Sequence, residues 1–402
     1  MKAIAIVDGE HYPDVVRAAL RELPYEFVGV LLVGGTEKLR GAPEYGVPVV
    51  EEPGDAEIVV DLSDEPVLTP ELRLQLAARF LALGLPYVGA DFRLDPPTFH
   101  PFDVPSLAVI GTGKRVGKTA VTGHVARLLA RDRRVVVVAM GRGGPEEPEL
   151  VDVPPTVDDL VALSRSGRHA ASDHLETAAL AGVPTVGCRR AGGGMAGAPF
   201  TSNVLEGARL AASLDPDVVV FDGSGAALPP IACDARILVA HDLRGLNTYR
   251  ALVSDLVLTT SDEVAAAARS LRRPVVRFAM RLRPLEEPEG RVAVFATGPV
   301  QLEGAAFVSR SLADRARLAE ELERVEADTY VVELKAAAID VVAEHALARG
   351  ARVVLAANDV VAHGLDDQVL TLLERRLARS ARRLDGARQG AEASASPTLE
   401  RG

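Results

Sequence analysis

The stretch SLAVIGTGKRVGKTA, from Ser106 to Ala120, strongly constrains what this chain can fold into. Its apolar run Leu107–Ile110 predicts a buried strand, which opens into a glycine-rich turn. Lys118 and Thr119 then begin a predicted helix that runs to Leu129. Glycines let backbone N–H groups surround phosphate oxygens, and the helix N-terminus adds partial positive charge. Together these features predict a P-loop that binds the phosphates of a nucleotide.

The residues of this loop have separate predicted roles. Lys118 is a catalytic cation that reaches the β- and γ-phosphates of ATP, and Lys114 is a second catalytic candidate. Thr119 is a predicted ligand of Mg²⁺. The predicted nucleotide-binding residues are Gly113, Lys114, Arg115, Val116, Gly117, Lys118, Thr119 and Ala120.

The spacing of the loop departs from the commonest P-loop pattern. Thr112 occupies the place of the first glycine, and Gly111 lies one residue earlier. This form resembles the GTxxxxGKT loop of dethiobiotin synthetase, an enzyme that uses ATP to activate a carboxylate. The related partitioning ATPases carry a signature lysine, whose aligned position here is Gly113, with Lys114 one place later. A carboxylate-activating enzyme and an ATPase switch therefore stand as alternatives.

Composition narrows the class of protein. The 402 residues suggest about two to three domains. No apolar run approaches the roughly 20 residues of a membrane helix, and the first residues lack the layout of a signal peptide. The net charge of −11 disfavours nucleic acid and anionic membranes as partners, and Cys188 and Cys233 fit a reducing compartment. We expect a cytoplasmic protein, and a large apolar α/β enzyme of this kind is commonly a homodimer.

Lysine is scarce in this arginine-rich chain, because only five of its 45 basic residues are lysine. Where a diffuse positive charge suffices, arginine can replace lysine, so a retained lysine can mark the need for a compact charge. Lys114 and Lys118 lie in the P-loop, where that need is expected. The same reasoning singles out Lys335, which follows the predicted strand Thr329–Leu334.

Short apolar runs alternate with helical segments along most of the chain. This alternation predicts an α/β fold, with a P-loop NTPase core and a mainly parallel sheet. The predicted regions are an N-terminal α/β domain over 1–103, a P-loop core over 104–285, a C-terminal α/β region over 286–373, and a helical end with a disordered tail over 374–402. Prolines mark the first boundary, and Pro284 with the acidic residues after it marks the second.

Further basic and glycine-rich loops follow predicted strands of the core. Because the carboxyl ends of parallel strands meet at one edge of a sheet, these loops are expected to lie near the P-loop. Guanidinium groups and backbone amides suit phosphate oxygens. The predicted substrate-binding residues are Arg142, Gly143, Gly144, Arg189, Arg190, Asn203 and Lys335, and Arg189 and Arg190 are also catalytic candidates.

Two further predictions concern the ends of core elements. The apolar run Val218–Phe221 predicts a strand that ends at Asp222, the expected Walker B carboxylate and a second ligand of Mg²⁺ opposite Thr119. Thr201, Ser202 and Asn203 are predicted to cap the helix that follows them.

Several motifs, taken in order, resemble the cyclic 2,3-diphosphoglycerate synthetase family: VDGEHYP, GTGKRVGKT, MGRGGPEEPELV, TVGCRRAGGGMAG, VVVFDGSG and ELKAAAIDVV. The resemblance covers the chain apart from its tail, and GRGGPE with CRRAGGG is its most specific part. It implies an ATP-dependent ligase that closes 2,3-diphosphoglycerate to its cyclic pyrophosphate, releasing ADP and phosphate. It also implies that 2-phosphoglycerate can be phosphorylated, so that the small-molecule partner is a phosphorylated glycerate.

Overall fold

The computed structural model describes residues 1–35, 38–375 and 378, which form three sheets of five, nine and five strands. The predicted α/β class, with a P-loop core and a mainly parallel sheet, is confirmed. No helix within these described ranges is long and apolar enough to span a bilayer. The predicted disordered tail lies outside the described residues.

The N-terminal sheet has the strand order β2-β1-β3-β4-β5, and only β5 runs antiparallel to its neighbour. Its elements are β1 (Lys2–Val7), α1 (Pro13–Glu22), β2 (Glu26–Leu32), β3 (Ile58–Asp61), α2 (Pro70–Ala82), β4 (Tyr87–Val88) and β5 (Arg93–Leu94). Thr69 caps α2, because its hydroxyl accepts a hydrogen bond from the Leu72 N–H.

The central sheet has the order β10-β9-β7-β11-β6-β12-β13-β14, and β8 pairs with β9. Its strands are β6 (Ser106–Gly111), β7 (Val135–Gly141), β8 (Glu149–Val151), β9 (Thr185–Ala191), β10 (Thr201–Ser202), β11 (Val218–Asp222), β12 (Ala235–Ala240), β13 (Leu256–Thr259) and β14 (Val275–Arg277). The helices in this part of the chain are α3 (Lys118–Leu129), α4 (Val157–Arg165), α5 (Asp173–Ala181), α6 (Val204–Ser213), α7 (Asn247–Leu252) and α8 (Asp262–Ser270), of which α4 packs against the third sheet. Every residue of β6, β7 and β11 is buried, as expected for apolar parallel strands covered on both faces.

The third sheet has the order β15-β19-β18-β16-β17, and only β15 is antiparallel to its neighbour. Its elements are β15 (Ala279–Pro284), β16 (Val292–Phe295), β17 (Phe307–Ser309), α9 (Arg315–Leu322), β18 (Thr329–Glu333), a π-helix (Ala338–Ala343), α10 (Glu344–Ala348) and β19 (Arg352–Val361). As predicted, Lys335 follows the middle strand of this sheet.

The chain passes from the central sheet to the third sheet at Phe278, before the predicted boundary at residue 285. Only Phe278 separates β14 from β15, yet β15 pairs with β19 of the third sheet. Pro284 and the acidic residues after it mark the end of β15 instead of the change of sheet. A connection of one residue carries no turn signal, so the sequence gives no sign of this crossing.

The central and third sheets meet through α3, the helix that follows the P-loop. Arg127 of α3 contacts the Asp359 carboxylate of β19 at 3.4 Å, and Asp359 also accepts a hydrogen bond of 2.7 Å from Arg283 of β15. The carboxyl ends of β6, β7 and β11 share one cavity with the carboxyl ends of β16 to β18 and with Ala357 and Asn358 in the middle of β19.

Candidate active site

A cavity of about 800 Å³ lies between these two sheet edges. The P-loop forms one wall, and loops and strand ends of the third sheet form the opposite wall. The predicted site residues that line it are Gly113, Lys114, Arg115, Gly117, Lys118, Thr119, Ala120, Arg142, Gly143 and Lys335. The P-loop, the loop after β7 and Lys335 are thus brought together, although they are far apart in the chain.

The P-loop has the geometry that its sequence predicts. Gly117 adopts a left-handed conformation with φ of 93°, which favours glycine, and α3 begins at the next residue. Arg115 also has a positive φ of 60°, an uncommon conformation for a residue other than glycine. The Val116 side chain does not line the cavity and instead packs against the buried core beside α3.

Lys118 and Asp222 form an ion pair beneath the P-loop. The Lys118 ammonium donates to the Asp222 carboxylate at 2.6 Å, and the Thr122 hydroxyl donates to the same oxygen at 2.9 Å. Asp222 is only 1% exposed, and burial raises the pKa of its carboxyl although the neighbouring Lys118 acts to lower it. Asp222 therefore lies under the cavity floor, where the Thr122 hydroxyl is its hydrogen-bond partner beside Lys118.

The two adjacent arginines of β9 do not act as the predicted pair. Successive side chains of a strand point to opposite faces, so Arg189 and Arg190 diverge. The Arg190 guanidinium donates to the carbonyl oxygens of Gly192 and Ser224, at the edge of the cavity. Arg189 is exposed, does not line the cavity and lies 3.9 Å from the Glu146 carboxylate. The prediction that both face one phosphate site is corrected accordingly.

Asn203 also differs from its predicted roles. It occupies the N-cap position of α6, but its side chain makes no capping hydrogen bond and does not line the cavity. Its amide oxygen accepts from the Arg189 N–H at 2.7 Å, and its amide nitrogen donates to the carbonyl oxygens of Pro145 and Glu146. Asn203 thus fastens the loop after β7 to β9.

Gly144 is close to the cavity but does not line it. A Cβ at Gly144 would lie 2.1 Å from the Cys188 carbonyl oxygen, whereas a Cβ at Gly143 would be 3.4 Å from the nearest side-chain atom of His169. Gly144 therefore permits close backbone packing against β9, which accounts for this glycine without a contact to substrate.

Gly144→Ala is expected to lower the free energy of unfolding by about 1–3 kcal/mol, because the new methyl group meets rigid backbone. The matched variant Gly143→Ala is expected to stay within about 0.5 kcal/mol of the wild type. Denaturant unfolding of both variants measures the difference. Equal stabilities would show that the β9 backbone moves aside without cost.

Several charged residues that line the cavity were not predicted from the sequence. They are Arg127, Asp173, Glu176, Arg281, Arg310 and Glu333. The positions of two of them indicate a site, because Glu333 ends β18 and Arg310 directly follows β17. Both residues therefore lie at the carboxyl ends of parallel strands, where ligands bind. The others lie on helices or on the antiparallel β15, where the position in the sequence gives no such indication.

Lys335 is held by a buried carboxylate on the opposite side of the cavity. Its ammonium donates to both oxygens of Glu176 in α5, at 2.5 and 2.7 Å. Burial raises the pKa of Glu176 to about 7, although Lys335 acts to lower it. Burial acts to lower the pKa of Lys335, but the Glu176 carboxylate outweighs burial, and the net result is a raised pKa.

The charge of the cavity contrasts with that of the whole chain. Eight Lys and Arg side chains line it against three Asp and Glu side chains, although the net charge of the protein is −11. Five of these cations make no side-chain hydrogen bond or ion pair with other residues that the structure describes: Lys114, Arg115, Arg142, Arg281 and Arg310. Unpaired cations around a concave space are suited to a ligand with several negative charges.

Family comparisons match three consecutive parts of the chain. Residues 2–95 match the N-terminal domain of cyclic 2,3-diphosphoglycerate synthetase, residues 106–281 match its P-loop domain, and residues 304–359 match its C-terminal domain. Among solved structures, that of LpxK from Aquifex aeolicus in complex with ATP has a TM-score of 0.44 and 15% identity, covering 76% of this chain and 95% of that one. This likeness is too weak to support an argument.

Similar proteins match over nearly their full length. A cyclic 2,3-diphosphoglycerate synthetase of Rubrobacter xylanophilus is 45% identical, covering 95% of this chain and 98% of that protein. One of Pyrococcus abyssi is 40% identical, covering 89% of this chain and 94% of that protein. One of Pyrococcus horikoshii is 39% identical, covering 96% of this chain and 98% of that protein. The chain therefore belongs to the cyclic 2,3-diphosphoglycerate synthetase family.

Proposed function

We propose that this protein uses ATP to close 2,3-diphosphoglycerate into cyclic 2,3-diphosphoglycerate, with release of ADP and phosphate. The observation that carries the proposal is one cavity, lined by a P-loop, in which five cations have no side-chain partner among the described residues, two of them in the P-loop itself, although the protein has a net charge of −11. Family membership favours this reaction over carboxylate activation and over an ATPase switch. Phosphorylation of 2-phosphoglycerate to the diphosphate is a second reaction that the same site suits.

Charge repulsion is the main obstacle to this reaction. The substrate carries two phosphates and a carboxylate, and ATP brings a triphosphate against it. Fixed cations offset this repulsion more effectively than mobile counterions do, because they need not reorganise as the charges move. The side chains of Lys114, Arg115 and Arg142 are free to meet the incoming phosphates.

The covalent steps follow from the order of the reacting groups. An oxygen of one substrate phosphate attacks the γ-phosphorus of ATP, so that a new P–O bond forms and ADP leaves. An oxygen of the other substrate phosphate then attacks the phosphorus of the first substrate phosphate. The cyclic P–O–P linkage closes, and the group received from ATP leaves as inorganic phosphate. Lys118 stabilises the charge that accumulates on the transferred group, and Lys114 assists as a second catalytic cation.

Thr119 and Asp222 are the residues proposed to hold Mg²⁺. Thr119 lines the cavity next to Lys118. Lys118 and Thr122 both donate to Oδ1 of Asp222, which leaves Oδ2 without a hydrogen-bond donor among the described residues. One hydroxyl and one carboxylate fit an ion that keeps several waters and binds phosphate oxygens. When bound, the ion would neutralise charge on the β- and γ-phosphates.

Several further proposals rest on less direct support. We place Arg142, Gly143 and Lys335 in the substrate site, and Arg190 at its edge, because of their positions around the cavity. Arg189, Asn203 and Gly144 are left out because none of them lines the cavity. A homodimer in the cytoplasm, built from an N-terminal domain, a P-loop core and a C-terminal region, remains our proposal from composition and sequence patterns.

The direct test is the release of ADP with and without 2,3-diphosphoglycerate, followed by phosphorus NMR of the product. We expect the substrate to stimulate ADP release and the spectrum to gain a cyclic pyrophosphate signal. Incubation with 2-phosphoglycerate would test the second reaction in the same way. ADP release that ignores both phosphoglycerates, or a product without a P–O–P linkage, would contradict the proposed function.

A further inference from the structure

The wall of the cavity formed by the third sheet extends well beyond the P-loop. At the near end, Met280 of β15 lies against the P-loop, where its sulfur would be 3.1 Å from a Cβ on Gly117. At the far end, Arg310 follows β17, four strands away in the order β15-β19-β18-β16-β17. With strands about 4.8 Å apart, β17 lies roughly 19 Å from β15. Arg310 is therefore remote from the loop that holds the nucleotide phosphates.

Arg310 has the properties of a ligand-binding residue. It is exposed to the cavity, and its guanidinium has no hydrogen bond or ion pair with any other residue that the structure describes. A guanidinium presents two parallel N–H donors that match a carboxylate in a planar, bidentate arrangement. No residue in the described part of the chain occupies that arrangement, in contrast to Arg283, which is paired with Asp359 in the same sheet.

Lys335 lies between the P-loop and Arg310. It follows β18, and β16 separates β18 from β17, so the two strand ends are roughly 10 Å apart at the usual strand spacing. Glu176 fixes its ammonium at 2.5 and 2.7 Å. The chain continues through Ala336, with a positive φ of 44°, into the π-helix, and such irregular backbone is often found at functional sites.

We propose that Arg310 binds the carboxylate of 2,3-diphosphoglycerate and makes the enzyme specific for a phosphorylated acid. The inference rests on the proposed function. Both phosphates must converge on each other and on ATP for the ring to close, which draws them towards the P-loop and Lys335. The carboxylate is the one anionic group that does not react, and it is left facing the far wall. An unpaired guanidinium at that wall holds it and orients the two phosphates for closure.

The test compares two substrates in the full-length protein, 2,3-diphosphoglycerate and propane-1,2-diol bisphosphate, which carries a methyl group in place of the carboxylate. For Arg310→Gln we expect the KM for 2,3-diphosphoglycerate to rise roughly ten- to hundredfold, as for the loss of a charged hydrogen-bonded pair. The KM for ATP and the KM for the carboxylate-free substrate should stay within about twofold of the wild type. Arg310→Lys should recover part of the loss, since it keeps the charge but not the planar fork.

Arg324→Gln is the matched control, because Arg324 is an exposed arginine of the same region that does not line the cavity. Equal increases in KM for both diphosphates would show that Arg310 binds a phosphate, and this would overturn the inference. An unchanged KM for 2,3-diphosphoglycerate, or a matching rise in the KM for ATP, would overturn it as well.

The proposed function can fail separately from this inference. If the wild type makes no cyclic product from 2,3-diphosphoglycerate, the function is wrong, and calorimetric binding of 2,3-diphosphoglycerate without ATP then tests Arg310 alone. A tenfold or greater rise in Kd for Arg310→Gln, absent with the carboxylate-free compound, would support the carboxylate contact. Equal Kd values for the wild type and the variant would reject it.

Discussion

Lys118→Ala is expected to lower the kcat for ATP-dependent cyclisation by roughly 10³-fold or more, the size of loss associated with removing a cation that stabilises transferred phosphoryl charge. The Lys118 ammonium lies at the start of α3 and is anchored at 2.6 Å from Asp222, so it is fixed where the β- and γ-phosphates are expected. A fixed charge in a partly enclosed cavity contributes more to the transition state than to initial binding. We therefore expect a larger effect on kcat than on the KM for ATP.

The loss of Lys118 also leaves Asp222 buried with only Thr122 as a donor, so the variant needs a folding control. Thermal unfolding of Lys118→Ala separates reduced stability from reduced catalysis. Lys2→Ala provides a matched lysine control, because Lys2 pairs with Asp55 on the surface of the N-terminal region, away from the cavity. A folded Lys118→Ala protein with a kcat within tenfold of the wild type would rule out the proposed role.

Lys335→Met is expected to lower the free energy of unfolding by about 3–5 kcal/mol at pH 8, the usual cost of leaving one member of a buried ion pair without its partner. Glu176 is only 3% exposed, and Lys335 is the one partner that donates to both of its oxygens. Removal of the ammonium leaves a desolvated carboxylate that no other described side chain neutralises.

The stability lost by Lys335→Met should be larger at high pH than at low pH. Burial raises the pKa of Glu176 to about 7 in the folded protein, against about 4.3 in an unfolded chain. A carboxyl group whose folded pKa is raised favours the folded state while it is protonated, and this contribution is lost as the pH rises through the folded pKa. Without Lys335 the folded pKa of Glu176 rises further, so the variant should be closer to wild-type stability at pH 5 than at pH 8.

The double variant Lys335→Met with Glu176→Gln is the control for this explanation. It removes the charge that the single variant leaves unpaired, and we expect it to recover most of the lost stability and to flatten the dependence on pH. Urea unfolding at pH 5 and pH 8 provides the measurement. A single variant that loses the same stability at both pH values would show that Glu176 is not the cause.

Local rules predicted the P-loop correctly. The P-loop depends on consecutive residues, and the left-handed Gly117 followed by the first turn of α3 is encoded within the motif itself. The same rules, applied more strictly, would have separated Arg189 from Arg190, because neighbours on a strand face opposite ways. They would also have pointed to Arg310 at the end of β17.

Other features of the site depend on close packing and could not be read from patterns. Gly144 is part of a glycine-rich loop that looks suited to anions, but its lack of a side chain is needed for the approach of Cys188. Asn203 precedes a helix as a cap would, yet its side chain joins two loops. In both cases the residue type fits two explanations, and only the neighbouring backbone distinguishes them.

The amino-acid sequence by itself determined the α/β class, the family, the P-loop and the buried Asp222, since each depends on local patterns or on motifs in a fixed order. Only the tertiary structure decided that a second sheet closes the cavity and that Lys335 meets Glu176, which lies 159 residues away in the chain. The physical reason is that a contact of this range depends on how two sheets pack together. That packing is the sum of many small apolar contacts, such as those of α3 with β19, and no single motif encodes it.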